Sequence, residues 1–201
     1  MKMFSARTYR FLRAVALFFL RLVHPAVHVT GRENIPDGPV IFAANHSAFS
    51  DPIWVIGCAD LPVIPRTMAK KELLKTPILG WLLKKLSVFP VDREGADIGA
   101  IKTAMKTIRD GSKLLIFPEG TRVRKGKKSE PHNGVVLIAT RTQTRVLPVY
   151  VTAKKKLFRR INVVYGESYQ PQTADKHATE QELNDLSAEL LKKIYRLGEG
   201  L

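Results

Sequence analysis

Two side chains in the stretch NHSAFSDP (45–52) are suited to moving a proton: His46 and, five positions on, Asp51. A carboxylate at that separation reaches an imidazole if the chain between them turns. It then fixes the ring tautomer through one nitrogen and supports the imidazolium that forms when the other nitrogen takes a proton. The same residues also read as a surface histidine beside a helix start, because Ser50-Asp51-Pro52 offers an N-cap and a first-turn proline. One imidazole and one carboxylate are too few ligands for a metal, and no neighbouring spacing supplies more.

A second cluster is FPEGTRVRKGKK (117–128). Pro118 and Gly120 shape a tight turn on which Glu119, Thr121 and Arg122 present polar groups. A glutamate there can accept a hydrogen bond from a substrate hydroxyl, and an arginine can clamp a phosphate through two N–H groups. The basic run that follows reads equally as a solvated loop tip. VDRE (91–94) adds Arg93, either a phosphate ligand or half of a plain Asp-Arg turn. Lys70 and Lys71, with Lys75 nearby, form a further basic group. The one cysteine, Cys58, lies in the apolar run IWVIGCA. With no histidine beside it, it reads as a small buried hydrophobe in a reducing compartment, not as a nucleophile.

The elements that must position these groups alternate. Apolar runs predict strands at 40–44, 62–69, 87–91, 113–117, 146–151 and 161–165. Helical patterns lie between them at 52–58, 76–86, 97–109 and 134–142, and another closes the chain at 179–197. This alternation predicts an α/β fold with a mostly parallel sheet flanked by helices. In such sheets functional groups gather at the carboxyl ends of strands, and each cluster above directly follows one. The 201 residues suit one such domain, 31–201, behind an N-terminal segment, 1–30.

That first segment has an uninterrupted apolar run, Ala14–Leu20, bounded by Arg13 and Arg21. It is far shorter than the roughly 20 residues needed to span a bilayer, and no small-residue cleavage pattern follows. At about 100° per residue, Arg7, Arg10, Arg13 and Arg21 share one sector of roughly 120°. Phe4, Phe11, Leu12, Val15, Phe18, Phe19 and Leu22 lie opposite, with Leu17 and Leu20 as exceptions. This is a basic amphipathic helix suited to a membrane interface, or one packed on the protein's own core with its arginines solvated. The two are compatible. The net charge of +15 predicts a polyanionic partner.

Order and identity of the blocks together resemble the 1-acylglycerol-3-phosphate acyltransferase family from about residue 30 to 165. NHSAFSD matches that family's N-H-x-x-x-x-D block, FPEGTR its third block unchanged, VFPVDR its second and VLPVYV its fourth. The resemblance implies transfer of a fatty acyl group from acyl-CoA or acyl carrier protein to the hydroxyl of lysophosphatidic acid. His46 would be the base and Asp51 its orienting partner. Arg93 and Arg122 would hold the phosphate, Glu119, Gly120 and Thr121 the acceptor site, with added charge from Lys71. It implies no metal or redox cofactor, and a peripheral or monotopic place on the cytoplasmic face of an anionic membrane.

One departure concerns a lysine that relatives carry before the glycine matching Gly134; here the stretch reads SEPHNGV, with His132 near that place. Glycerol 3-phosphate or another lysophospholipid is an alternative acceptor, although a chain without a long N-terminal domain favours lysophosphatidic acid. A basic nucleic-acid-binding domain is disfavoured. The cations cluster in the N-terminal helix, around 122–128 and around 154–160, with no basic stripe interleaved with aromatics. A membrane-surface protein with a dead site is disfavoured because His46, Asp51, Glu119 and Arg122 are all present.

Overall fold

Seven strands, three to six residues long, form in the computed structural model, which describes residues 4–92, 97–123, 130–174 and 178–201. They are β1 Val27–Thr30, β2 Ile41–Ala44, β3 Arg66–Lys70, β4 Val88–Val91, β5 Leu114–Ile116, β6 Val146–Val151 and β7 Ile161–Tyr165. The strand order is β1-β7-β6-β2-β5-β3-β4. Neighbours are parallel throughout except β6 and β7, which run antiparallel. The sheet is therefore mostly parallel, as the alternation of elements predicts, and β2 lies at its middle.

Every residue of β2 is buried, because helices cover both faces. Its side chains alternate between two cores. Phe42 and Ala44 join Trp54, Val55, Leu147, Val149 and Tyr165 on one side. Ile41 and Ala43 join Ala104, Ile108, Val135, Ile138, Leu190 and Ile194 on the other. The first face is covered by α2 (Asp51–Ala59) and α1 (Ala6–Val23). The second is covered by α4 (Ile98–Arg109), α5 (Gly134–Thr142) and α6 (Glu180–Arg196). A further helix, α3 (Pro77–Lys85), follows a 3-10 turn at Lys71–Lys75.

Local chemistry sets the helix starts. The Asp97 side chain accepts from Ala100 N–H at 2.8 Å to open α4. Thr179 and Glu182 close a reciprocal capping box at α6. Thr76 caps α3 ahead of Pro77. Cys58 is buried in the first core, where desolvation pushes its thiol up and leaves it unreactive.

Three sequence expectations change. The strand expected at 62–69 begins only at Arg66, because Pro62 and Pro65 lack the N–H a ladder needs. Residues 27–30, placed with the N-terminal segment, form β1 and pair with β7 from Val27 opposite Ile161 to Thr30 opposite Val164. The third concerns α1, whose inward side holds Leu17, Leu20 and buried Tyr9. Arg13 donates to the Gly57 carbonyl at 2.9 Å and meets Asp60 at 2.5 Å. Leu17 and Leu20, which break the amphipathic pattern, are thus the residues that fasten the helix to the domain. Phe11, Phe18, Phe19 and Leu22 are each at least 57% exposed.

Candidate active site

The carboxyl edge of the sheet between β6, β2 and β5 holds the polar cluster. At the end of β2, Asn45 bonds β6 in both directions, donating to the Val151 carbonyl at 2.9 Å and accepting its N–H at 2.8 Å. With its amide consumed by the neighbouring strand, the chain turns out of the sheet at His46. The His46 ring stacks on Phe117, just past β5, with centroids 4.1 Å apart and planes 22° from parallel.

Asp51 is fully buried. Its Oδ2 lies 3.0 Å from His46 Nδ1 and accepts the N–H groups of Ser47 at 2.6 Å and Ala48 at 2.7 Å. The carboxylate therefore binds the residues before it, not the first turn of α2 after it, and Ser50 makes no side-chain cap bond. Ser50 is the N-cap residue and Pro52 lies in the first turn, as expected; only the side-chain cap bond is missing. Asp51 begins the helix by its backbone while its side chain serves the turn that presents His46. Its Oδ1 accepts an ion-paired hydrogen bond from Lys155, which follows β6. Burial pushes the Asp51 carboxyl up, but the His46 hydrogen bond, the Lys155 charge and the backbone donors outweigh it and hold it below its ordinary value.

An ionised Asp51 only accepts, so His46 carries its proton on Nδ1 and leaves the Nε2 lone pair to take one from a bound group. The His46 backbone is held too. Its N–H donates to Glu119 Oε2 at 2.6 Å, and its carbonyl accepts from Val123 N–H at 2.8 Å. Glu119 is only 1% exposed, and its other oxygen accepts the Tyr195 hydroxyl from α6. Burial is the main reason its carboxyl is pushed above the usual value, against these bonds. Glu119, expected to meet a substrate hydroxyl, also ties the β2 turn, the β5 turn and α6 together.

Gly120 has φ +65°, and a Cβ there would stand 2.3 Å from the His132 ring. This close approach in the left-handed region is what requires glycine. The exposed His132, beside Gly120, thus lines the rim of the β5 turn. Thr121 and Arg122 are exposed on the same turn, and the Arg122 guanidinium lies 3.6 Å from the centroid of the Phe49 ring. Farther along the edge, Lys71 follows β3 and pairs with Asp92, which follows β4. Arg93 and the basic residues 124–128 lie outside the described residues.

Chain comparisons bear on what this geometry serves. An acyltransferase family model matches residues 26–152. The chain belongs to the acyltransferase family. A Bacillus subtilis protein named 1-acyl-sn-glycerol-3-phosphate acyltransferase is 32% identical over 92% of this chain and 98% of its own. A Streptococcus pneumoniae protein of the same name is 30% identical over 74% of this chain, which matches only 56% of that relative's length. Among solved structures, the 1-acyl-sn-glycerophosphate acyltransferase of Thermotoga maritima superposes with a TM-score of 0.66 at 27% identity, over 88% of this chain and 73% of that one.

Within this acyltransferase, the matched region carries His46, Asp51, Glu119 and Arg122, the residues legible as blocks. Lys155 and Tyr195 lie beyond residue 152 and were missed. For Lys155 a signal existed: it follows the end of the apolar strand VLPVYV by four residues, but it is absorbed visually into the basic run 154–160. Tyr195 carries no such signal, since it adjoins Ile194 on a helix whose apolar stripe explains itself.

Proposed function

We propose that this acyltransferase moves a fatty acyl group from a thioester of coenzyme A or acyl carrier protein to the sn-2 hydroxyl of 1-acyl-sn-glycerol 3-phosphate. One observation carries the reading: His46, fixed by Asp51 and backed by Phe117, leaves one basic nitrogen free at the sheet edge. In this reading Nε2 takes the acceptor's hydroxyl proton as the oxygen attacks the thioester carbonyl. The tetrahedral intermediate then expels the thiolate, which receives that proton from the imidazolium. The leaving group is good enough that neither an acyl-enzyme nor a metal is required. Arg122 and the Thr121 hydroxyl on the β5 turn, together with Lys71 and Arg93, are the groups that would hold the phosphate. The names of the relatives support the acceptor class.

The same reading places the protein on the cytoplasmic face of an anionic bilayer. Among the described residues no helix is long and apolar enough to cross a membrane. The exposed rings of α1 continue at both ends. Phe4 packs edge-on against half-exposed Trp81 of α3, 6.1 Å between centroids, beside fully projecting Ile78. At the other end the Phe158 N–H donates to the Val23 carbonyl, and Leu157 and Phe158 stand in solvent. Phe158 holds φ +57°, a costly conformation for a bulky residue, in order to do so. Exposed Arg10 and Arg21 line a groove with Phe18, which suits anionic headgroups above an apolar interface.

The test is an assay of purified protein with 1-acyl-sn-glycerol 3-phosphate and glycerol 3-phosphate in parallel, each with acyl-CoA and acyl carrier protein donors. Turnover of the first acceptor that disappears in His46→Ala is expected. Normal turnover in His46→Ala removes the mechanism, and exclusive use of glycerol 3-phosphate replaces the acceptor.

A further inference from the structure

We propose that Lys155 is a positioning residue that balances the charge of Asp51, so that Asp51 orients His46 without holding it protonated. The inference rests on the reading of His46 as a base. Lys155 lies outside the matched family region, yet its side chain is only 7% exposed and meets Asp51, which is wholly buried. A lysine this deep is rare unless paired, because desolvating its ammonium is costly. Its three N–H bonds have three acceptors: Asp51 Oδ1, Ser47 Oγ at 3.1 Å and the Thr152 carbonyl at 2.6 Å.

The carboxylate divides its work. Oδ2 faces His46 Nδ1 and two backbone N–H groups, whereas Oδ1 faces the ammonium. A lone buried carboxylate beside an imidazole stabilises its protonated form, and a base that is already protonated cannot accept a proton. With the ammonium opposite, the Lys155–Asp51 pair is close to neutral. The hydrogen bond that sets the tautomer remains, and the ammonium opposes the part of the field that Asp51 contributes at the ring.

Other charged or titratable groups also face the ring. Among the described residues Glu119 sits behind the His46 N–H with Tyr195 of α6 beyond it. His132 lies against Gly120, and Arg122 lies on Phe49. None of them contacts the Asp51 carboxylate among its hydrogen bonds and ion pairs, so Lys155 is the group whose removal isolates the effect.

The experiment uses the full chain and follows the His46 ring by NMR through a pH titration, with kcat/KM measured over the same range. Lys155→Gln keeps a hydrogen-bond donor and loses the charge. It should raise the His46 midpoint by on the order of 1 pH unit. Below the native midpoint kcat/KM should fall about tenfold, and it should recover toward the native value at high pH. Lys155→Arg, which keeps the charge, should restore the native midpoint. A loss of activity that is uniform across pH with an unmoved midpoint would make Lys155 a mere brace and overturn the proposal.

If Lys155→Gln does not fold, the doubly neutral Asp51→Asn, Lys155→Met protein decides. A midpoint within about 0.5 unit of native fits cancellation, and a fall of more than about 1 unit contradicts it. The titration needs no substrate, so a protein that turns over none of the tested acceptors yet shows the shift would keep this inference and lose the assigned reaction.

Discussion

At the carboxyl ends of β2, β5 and β6, the chain buries Asp51, Glu119 and Lys155; along the outer face of α1 it leaves Phe11, Phe18 and Phe19 in solvent. Both regions invert the usual partition of side chains, in opposite directions. The first is tolerable because each buried charge has partners: Asp51 with His46 and Lys155, Glu119 with Tyr195 and the His46 N–H. In the second, Phe18 and Phe19 meet edge-on with centroids 5.6 Å apart, yet both rings stay exposed. The polar inversion is thus resolved inside the molecule, and under the proposed function the apolar one is resolved at a bilayer surface. Substitutions at the first should change chemistry and stability together, and those on the outer face of α1 should change partitioning alone.

The largest expected effect is at His46. His46→Ala should lower kcat/KM by at least about 10³-fold, while vesicle flotation stays at the native level; a parallel loss of flotation would merge the two regions.

Asp51→Asn comes next. It leaves the Lys155 ammonium buried without its counter-ion and should cost about 3–5 kcal/mol in urea unfolding. The sign with pH follows from the folded Asp51 value lying below its ordinary one. The unfolded chain then binds this proton more readily, so the contribution is present above about pH 4 and is lost as pH falls through the folded value. The variant should show a flatter decline of stability on acidification. An acid limb identical to the native one would mean that Asp51 is not linked in this way.

On the apolar side, Phe18→Ser with Phe19→Ser should weaken binding to anionic vesicles by roughly tenfold to a hundredfold, more so at raised salt, with unfolding unchanged. Leu17→Ala is the mirror test. It should cost about 2 kcal/mol or more of stability through lost packing at Gly57 and leave flotation alone. Removing residues 1–24 would confuse the two, since α1 both packs on the core and faces outward.

The smallest effect is at the rim. Arg122→Gln should raise the acceptor KM about tenfold with little change in the donor KM. The reverse pattern would move Arg122 to the donor.

Much of this was legible in the order of residues. The strands ending at Ala44, Ile116 and Val151 are apolar throughout because both faces of the sheet are covered, so their ends locate the site. The blocks around His46 and FPEGTR mark which ends matter. Less legible was β1, where VHVT follows Pro25 and alternates in exposure, so it has no apolar run to signal a strand. Its pairing depends on β7, over a hundred residues later. The side of α1 that is buried was equally hidden, because a helical wheel records hydrophobicity and not which neighbour is present.

What the sequence determines alone is local: periodicity, turns, capping residues and the short spacing that lets Asp51 reach His46 across one turn. What only the tertiary structure decided is which distant charges share a desolvated space. Lys155 lies 104 residues from Asp51 and Tyr195 lies 76 from Glu119. Neither separation has a period or spacing to read. They meet because parallel strands bring their carboxyl ends to one edge and α6 packs back across it. Once water is excluded there, each buried charge must find its partner among whatever the fold has delivered.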